Sequence, residues 1–443
     1  MNVASLLLTG VAVSVLLLGC NQKEDTNQTA DTVTTADTTL ALPAPYATES
    51  AKNFSNVIGW PDGKTPQAPA GFFVTEFARD LNSPRWLYVG PNGDIFVAEA
   101  NTERGGFKDS VINAVTGRNK SEREGASANR ITLFRDINKD GKPDLRQPFL
   151  TGLNQPFGML VLGNYFYVAN TDALMRYDYK PGQTKITGPG KKILDLPAGG
   201  YNNHWTRNLL ASPDGKKLYV SVGSGSNVGE HGMENELRRA NILEINPDGT
   251  GERIYASGLR NPVGMAWQPN TNVLYTAVNE RDELGDNLVP DYLTSVKEGG
   301  FYGWPYSYYG QNADPRRQGE RPDLIQKAIV PDVPLGSHTA SLGLAFYTEG
   351  SNGANSFPAH YQNGAFIGQH GSWNRTQLSG YKVVFVPFQN GKPGKPEDFL
   401  TGFLAGNNKD AYGRPVGVVN LPDGALLVAD DVTGRVWRVA ASK

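Results

Sequence analysis

Residues 258–305 begin GLRNPVGMAWQPNTNVLYTAVNERDELGDNLVPDYL and end KEGGFYGWP. Two polar side chains, Arg260 and Asn261, stand before Pro262 and a short apolar run. A turn at 269–272 reverses the chain into a second run, 273–278, and a charged loop follows at 279–286. Strand, tight turn and strand bring the start of the first beside the end of the second. Arg260 and Asn261 are therefore expected to face Asn279, Glu280 and Arg281 across one mouth. Such a site is built from two loops on a rigid hairpin.

The same pattern recurs along the chain. Copies read LNSPRWLYVGPNGDIFVAE from Leu81, LNQPFGMLVLGNYFYVAN from Leu153, HWTRNLLASPDGKKLYVSVG from His204 and GRPVGVVNLPDGALLVADD from Gly413. A degenerate copy starts HTASLGLAFY at His338 and resumes NGAFIGQHG at Asn363. With the opening stretch there are six, spaced 50 to 79 residues apart. Strand pairs joined at PNG and PDG turns predict an all-β fold, a six-bladed propeller of four-stranded blades with loop insertions. A chain of 443 residues with one visible composition break suits this architecture, because each blade packs only on its neighbours. The 51 glycines and 29 prolines supply the turns it needs.

The formal net charge of −2, with no basic stripe, argues against a nucleic-acid partner. The single cysteine, Cys20, excludes a disulfide framework within the chain. Residues 6–18 are mostly apolar, about the length of a signal-peptide core and short for a membrane span. They end Leu17-Leu18-Gly19-Cys20, which resembles the bacterial lipoprotein cleavage box. That resemblance implies a signal peptide at 1–19 and a lipid on Cys20. It implies an exported protein at the periplasmic face, and Asn21 in the next position favours the outer membrane. Residues 20–66, rich in Thr, Asp, Ala and Gln, read as a flexible tether. The propeller is expected to occupy 67–443. Residues 71–81, GFFVTEFARDL, have strand character, while the last repeat lacks an outer strand. The N-terminal strand is expected to complete that blade and remove a sheet edge.

With the PDG turns at the bottom, the loops before each first strand and after each second strand open together at the top. The first set presents Gln155, His204, Arg260, Asn261, His338 and Arg414. The second presents Asn279, Glu280, Arg281, His370 and Arg375. Such a cluster at a propeller mouth predicts a small-molecule site, and its arginines suit an anionic ligand. Separately, Asp136, Asn138, Asp140, Gly141 and Asp144 have the spacing of a calcium loop, but the twelfth position is Gln147 rather than Glu. Calcium loop and polar hairpin turn both fit that segment.

GLRNPVGMAWQPN, NERDELGDNL and GGFYGWP together resemble the soluble sugar dehydrogenases that depend on pyrroloquinoline quinone (PQQ), the glucose, aldose and sorbosone dehydrogenases. The resemblance runs from about Gly71 to Ala440. It implies a six-bladed propeller with PQQ across the top of the channel and Ca²⁺ at the quinone edge. It implies that Arg260, Asn261, Arg375, Arg414 and Gln155 hold PQQ, that the backbone of Asn279 and Glu280 holds Ca²⁺, and that His204 is the catalytic base. The chain departs from the family's H-x-x-G-R-L motif, because His204 is followed by Trp205-Thr206-Arg207-Asn208-Leu209. HGSWNR at 370–375 is nearer the sorbosone-type branch, which implies an aldose or sugar-derived aldehyde as substrate. With no C-x-x-C-H haem motif in the chain, electrons are expected to pass to an external acceptor, a cytochrome or quinone. Two other readings stand beside this one. One is a calcium-dependent lactonase, with Glu99 and Asp430 in a metal cage. The other is a surface-binding propeller without catalysis.

Overall fold

In the computed structural model, residues 31–36, 38–103, 117–123, 126–348 and 355–442 are described. The expected signal peptide at 1–19 and Cys20 lie outside them. Six four-stranded antiparallel sheets form the blades of a propeller. Blade 1 runs through Pro84–Val89, Ile95–Glu99, Arg130–Arg135 and Leu145–Leu150. Blades 2 to 5 open with Met159–Leu162, Leu209–Ala211, Pro262–Trp267 and Ser341–Phe346, and each is completed in sequence order. Blade 6 takes three strands from the C-terminus, Pro415–Asn420, Leu426–Asp430 and Arg435–Ala441. Its fourth is Phe72–Ala78, paired antiparallel with the last strand from Val436 opposite Ala78 to Ala441 opposite Phe72. The expected closure is observed, and the last C-terminal strand is paired on both sides.

Short-range chemistry explains the inner strands. Blades 1, 4, 5 and 6 share a register shift just inside the first strand, at Pro84/Trp86, Pro262/Gly264, Ser341/Gly343 and Pro415/Val418. A bulge there leaves one residue unpaired and re-aims its side chain. The following glycine lets neighbouring inner strands approach: a Cβ on Gly264 would lie 2.5 Å from the Leu344 Cβ, and one on Gly343 would lie 2.2 Å from the Val416 carbonyl oxygen. The second strands of blades 1, 3, 4, 5 and 6 are buried along their whole length, as strands covered on both faces must be.

Residues 31–60 differ from the expected tether. Asp31–Thr34 and Thr39–Leu42 form a hairpin that places Val33 and Leu42 in the blade 4 core with Leu284, Leu288 and Tyr292. The chain then follows the upper rim. Tyr46 N–H donates to the Leu284 carbonyl (2.8 Å), and Ser50 Oγ accepts from Gly285 N–H (3.0 Å). Asn53 N–H donates to the Trp373 carbonyl (2.8 Å), and Asn56–Val57 pairs in parallel with Asp410–Ala411. The Trp60 indole donates to Asp430 Oδ2 (2.7 Å) and packs edge-on against Trp437. The segment docks through backbone bonds, short polar side chains and two aromatic rings. Its low content of apolar residues is therefore no bar to ordered packing.

Candidate functional site

The loops at the upper ends of the blades enclose a cavity of about 310 Å³. Phe157, Val263 and Leu342 line it, and they join Trp205 and Val416 in one buried apolar cluster beneath. Val263 and Leu342 are the bulged residues of blades 4 and 5, and Arg85 is the bulged residue of blade 1. Arg85 therefore enters the same cavity. Each bulge turns its side chain inward at the mouth.

His204 lines the cavity from the loop before blade 3. Its Nδ1 lies 2.8 Å from the Ser224 carbonyl oxygen. A carbonyl only accepts, so Nδ1 carries the proton and the lone pair sits on Nε2. Burial, and then the charge of Arg260, push the His204 pKa down to about 3. The ring is neutral at neutral pH. Asn261 lines the same cavity, and its Oδ1 is buried with no hydrogen-bond partner. Gly223 makes room for it: a Cβ there would lie 2.4 Å from that Oδ1 and 2.7 Å from the His204 Cβ.

Two carboxylates join histidines to arginines across the mouth. Asp282 Oδ1 lies 3.1 Å from His338 Nδ1, and Asp282 Oδ2 lies 3.2 Å from an Arg260 terminal nitrogen. His338 Nε2–H donates to the Gly285 carbonyl (2.9 Å). Burial would lower the His338 pKa, but its bonds to Asp282 and Gly285 outweigh burial and raise it. Asp431 Oδ1 accepts from His370 Nε2 (2.9 Å), and its Oδ2 pairs with Arg85. Burial and the Arg414 charge lower the His370 pKa to about 4, while His370 and Arg85 hold Asp431 well below the usual carboxylate range against its burial. Asp282, Asp431 and Arg85 were missed in the sequence reading. Arg85 had a signal, since it follows Pro84 where Val263 follows Pro262.

The expected site residues divide. His204, Arg260, Asn261, Asn279 and Arg414 all line the cavity. Arg260 and Arg414, however, are buried with their donors on the protein. Arg260 donates to the carbonyls of Glu280 (2.6 Å), Asn279 (3.3 Å) and Asn227 (3.3 Å), and to Asn227 Oδ1 (2.9 Å). Arg414 donates to the carbonyls of His370 (2.9 Å), Gly371 (2.8 Å) and Ser121 (2.9 Å). They tie loops together. Gln155 and Arg375 are not among the lining residues. Gln155 donates to the Asn101 carbonyl (2.8 Å), and Arg375 is carried by the 372–379 turn toward Asn287 Oδ1 (2.9 Å).

The two backbone carbonyls expected to hold calcium, those of Asn279 and Glu280, both accept from Arg260, and the Glu280 carboxylate pairs with Arg281 (2.9 Å). A divalent cation there would sit against a guanidinium. This donor set does not fit calcium as arranged, and no step is drawn through one. The 136–144 segment joins the last two strands of blade 1 as a hairpin turn. Asp136 accepts from the N–H groups of Asp140 (3.2 Å) and Gly141 (2.8 Å), and Asp144 accepts from those of Ile137 (2.6 Å) and Asn138 (3.2 Å). Among the described residues no cluster of three or more His, Cys, Asp or Glu is arranged to hold a metal. Glu99 pairs with Arg130 (2.7 Å) and Asp430 with Trp60 (2.7 Å), so neither lines the cavity as a lactonase cage would need.

The remaining donors suit an anion with a flat ring system. Arg85 Nε is buried without a partner, Arg123 stands at the rim with one terminal nitrogen donating to the Leu81 carbonyl (2.6 Å), and Trp205 borders the space. Unpaired guanidinium N–H groups match carboxylates, and indole faces match aromatic rings. A planar tricarboxylate such as PQQ fits this set.

Residues 66–292 and 316–442 match the TrAA12-like family. The chain belongs to that family. An uncharacterized protein of Borreliella burgdorferi is 31% identical over 395 residues, covering 86% of this chain and 92% of that one. A pyrroloquinoline quinone-dependent pyranose dehydrogenase of Coprinopsis cinerea is 25% identical over 353 residues, covering 65% of this chain. The match spans 46% of that fungal enzyme's length. The holo form of the PQQ domain of the Coprinopsis cinerea pyranose dehydrogenase superposes with a TM-score of 0.66 at 20% identity. It covers 87% of this chain and 100% of the domain, and at that identity it shows a shared fold.

Proposed function

We propose that the protein oxidises a small sugar, an aldose or a sugar-derived aldehyde, with PQQ held in the cavity, and that a separate acceptor removes the electrons. The observation that carries this is the setting of His204: a neutral imidazole with its tautomer fixed by Ser224, lining a cavity that Arg85 and Asn261 also line. The names of the fungal relative and its PQQ domain support it.

Bound PQQ would supply a two-electron acceptor, chemistry that no side chain of this chain offers. Arg85 and Arg123 would pair with its carboxylates, and Asn261 would meet a donor or a bridging water. His204 Nε2 would take the proton of the sugar hydroxyl, and the Ser224 carbonyl would hold the ring as it gains charge. A positive imidazolium is costly beside Arg260, so the acquired proton is passed on readily. Asp282, set between His338 and Arg260, is the nearest carboxylate network able to compensate that charge. The apolar floor of Phe157, Val263 and Leu342 keeps water from the underside of the site.

The test is reconstitution. Purified protein titrated with PQQ should change the absorbance spectrum at one equivalent. The loaded protein should then reduce an artificial acceptor only when a sugar is added. A saturable PQQ complex that reduces no acceptor with any aldose or aldehyde would refute the reading.

A further inference from the structure

Phe54 lies in the N-terminal segment, outside the propeller blades, yet it stands between two residues of the cavity lining. Its ring stacks on Trp373, with centroids 5.4 Å apart and planes 13° apart. The Arg118 guanidinium lies over the Phe54 ring, 5.8 Å from its centroid. Trp373 comes from the loop after the second strand of blade 5, and Arg118 from the short helix Arg118–Ser121 inserted in blade 1. Both line the cavity. Ser55 fastens the same helix, with its Oγ 3.0 Å from Ser121 Oγ, and Asn53 fastens the loop through the Trp373 carbonyl.

These residues mark the outer lip of the site. Arg118 and Trp373 are partly exposed, whereas Arg260, Arg414 and Asp431 below them are buried. A resident cofactor fills the base of such a funnel, and the group that comes and goes meets the lip. Sugar rings pack their C–H faces on indole and hydrogen-bond guanidinium through their hydroxyls.

We infer that Phe54 is a positioning residue for the sugar. It holds Trp373 and Arg118 as the two walls of a sugar subsite above the cofactor, so that the N-terminal segment takes part in substrate selection. This rests on the functional reading above. With Phe54 truncated, the Trp373 ring loses its backing and Arg118 its platform, while the buried residues beneath keep their partners.

The experiment compares wild type with Phe54→Ala and Phe54→Tyr, all loaded with PQQ. A stacked aromatic contact corresponds to about a three- to tenfold change in affinity. Phe54→Ala should raise KM for a monosaccharide by about fivefold and leave kcat within about twofold. PQQ titration should be unchanged, and Phe54→Tyr should restore KM. An unchanged KM in folded Phe54→Ala, or a PQQ affinity that falls in step with KM, overturns the proposal. If Phe54→Ala fails to fold, Phe54→Leu, which keeps apolar volume without a flat face, is read in the same way. If the loaded wild type oxidises no sugar, the functional reading fails. Calorimetric binding of the monosaccharide to wild type and Phe54→Ala then tests the subsite alone: weaker binding in the variant supports it, and equal or no binding overturns it.

Discussion

His204 Nδ1 lies 2.8 Å from the carbonyl oxygen of Ser224, and this one contact decides which ring nitrogen can accept a proton. His204→Ala should bind PQQ as wild type does and turn over about 10²- to 10⁴-fold more slowly, the usual cost of losing a general base. Burial and Arg260 place the His204 pKa at about 3, so the wild-type pH–rate profile should show no His204 limb near pH 6.5. Wild-type turnover by His204→Ala, with His370→Ala inactive, would move the base to another blade.

Arg260 holds the loops that follow the second strands of blades 3 and 4 through Asn227, Asn279, Glu280 and Asp282. Removing it takes one of two partners from a largely buried carboxylate that keeps His338, a loss of about 1–3 kcal/mol. Arg260→Ala should therefore lower the melting temperature, and it should also raise the His204 pKa by removing a nearby positive charge. A histidine NMR titration of the variant that leaves His204 where it is would contradict the second half.

Asp430 is buried beside Trp60 and Arg414, and burial, outweighing its hydrogen bonds, raises its pKa to about 6. A carboxylate raised in the folded state binds its proton more tightly there than when unfolded. Its contribution is fully present below the unfolded value near 3.8 and is lost as pH rises through about 6. The melting-temperature advantage of wild type over Asp430→Asn should thus be larger at pH 4.5 than at pH 7.5. An equal difference at both would show that the carboxyl does not titrate between them, contrary to a pKa near 6.

Trp60 packs against Phe403 and Trp437 and is only 6% exposed. Trp60→Ala should cost about 3–5 kcal/mol, as buried aromatic truncations do. Deleting residues 31–60 should lower stability well beyond what a flexible tether would. Equal denaturation midpoints for the deletion and the full chain would show that the rim contacts contribute nothing.

Cys20 is expected to carry the lipid that its LLGC setting implies. Cys20→Ser should leave the membrane fraction for the soluble one in cell extracts. A variant that sediments with membranes as wild type does would rule this out.

The propeller could be read in the sequence because each blade repeats the same strand, turn and strand, and because residues 71–81 supplied the one strand the last copy lacked. His204, Arg260, Asn261 and Arg414 could be brought to one mouth by loop parity alone. What parity cannot give is the direction of a side chain. Arg375 follows a turn that carries it outward, Gln155 folds back on Asn101, and Arg260 spends its donors on backbone carbonyls. Asp282 and Asp431 sat in charged loops where several acids were equal candidates. The ordered rim segment was hidden for a different reason: its bonds are mostly from backbone and small polar groups, which hydropathy does not register.

The hairpin at the start of the described chain also sets an orientation. Asp31 pairs with Leu42, and the strand leaving Leu42 reaches the upper rim at Tyr46 within four residues. The point where the chain enters the fold is thus beside the mouth. Ten residues separate Cys20 from Asp31, a leash no longer than about 40 Å even fully extended. With a lipid on Cys20, Asp31 stays within that distance of the bilayer surface, and the blade 4 edge of the mouth lies a few residues beyond it. Under the proposed function, a carrier docked on that membrane would meet the mouth rather than the far side of the propeller.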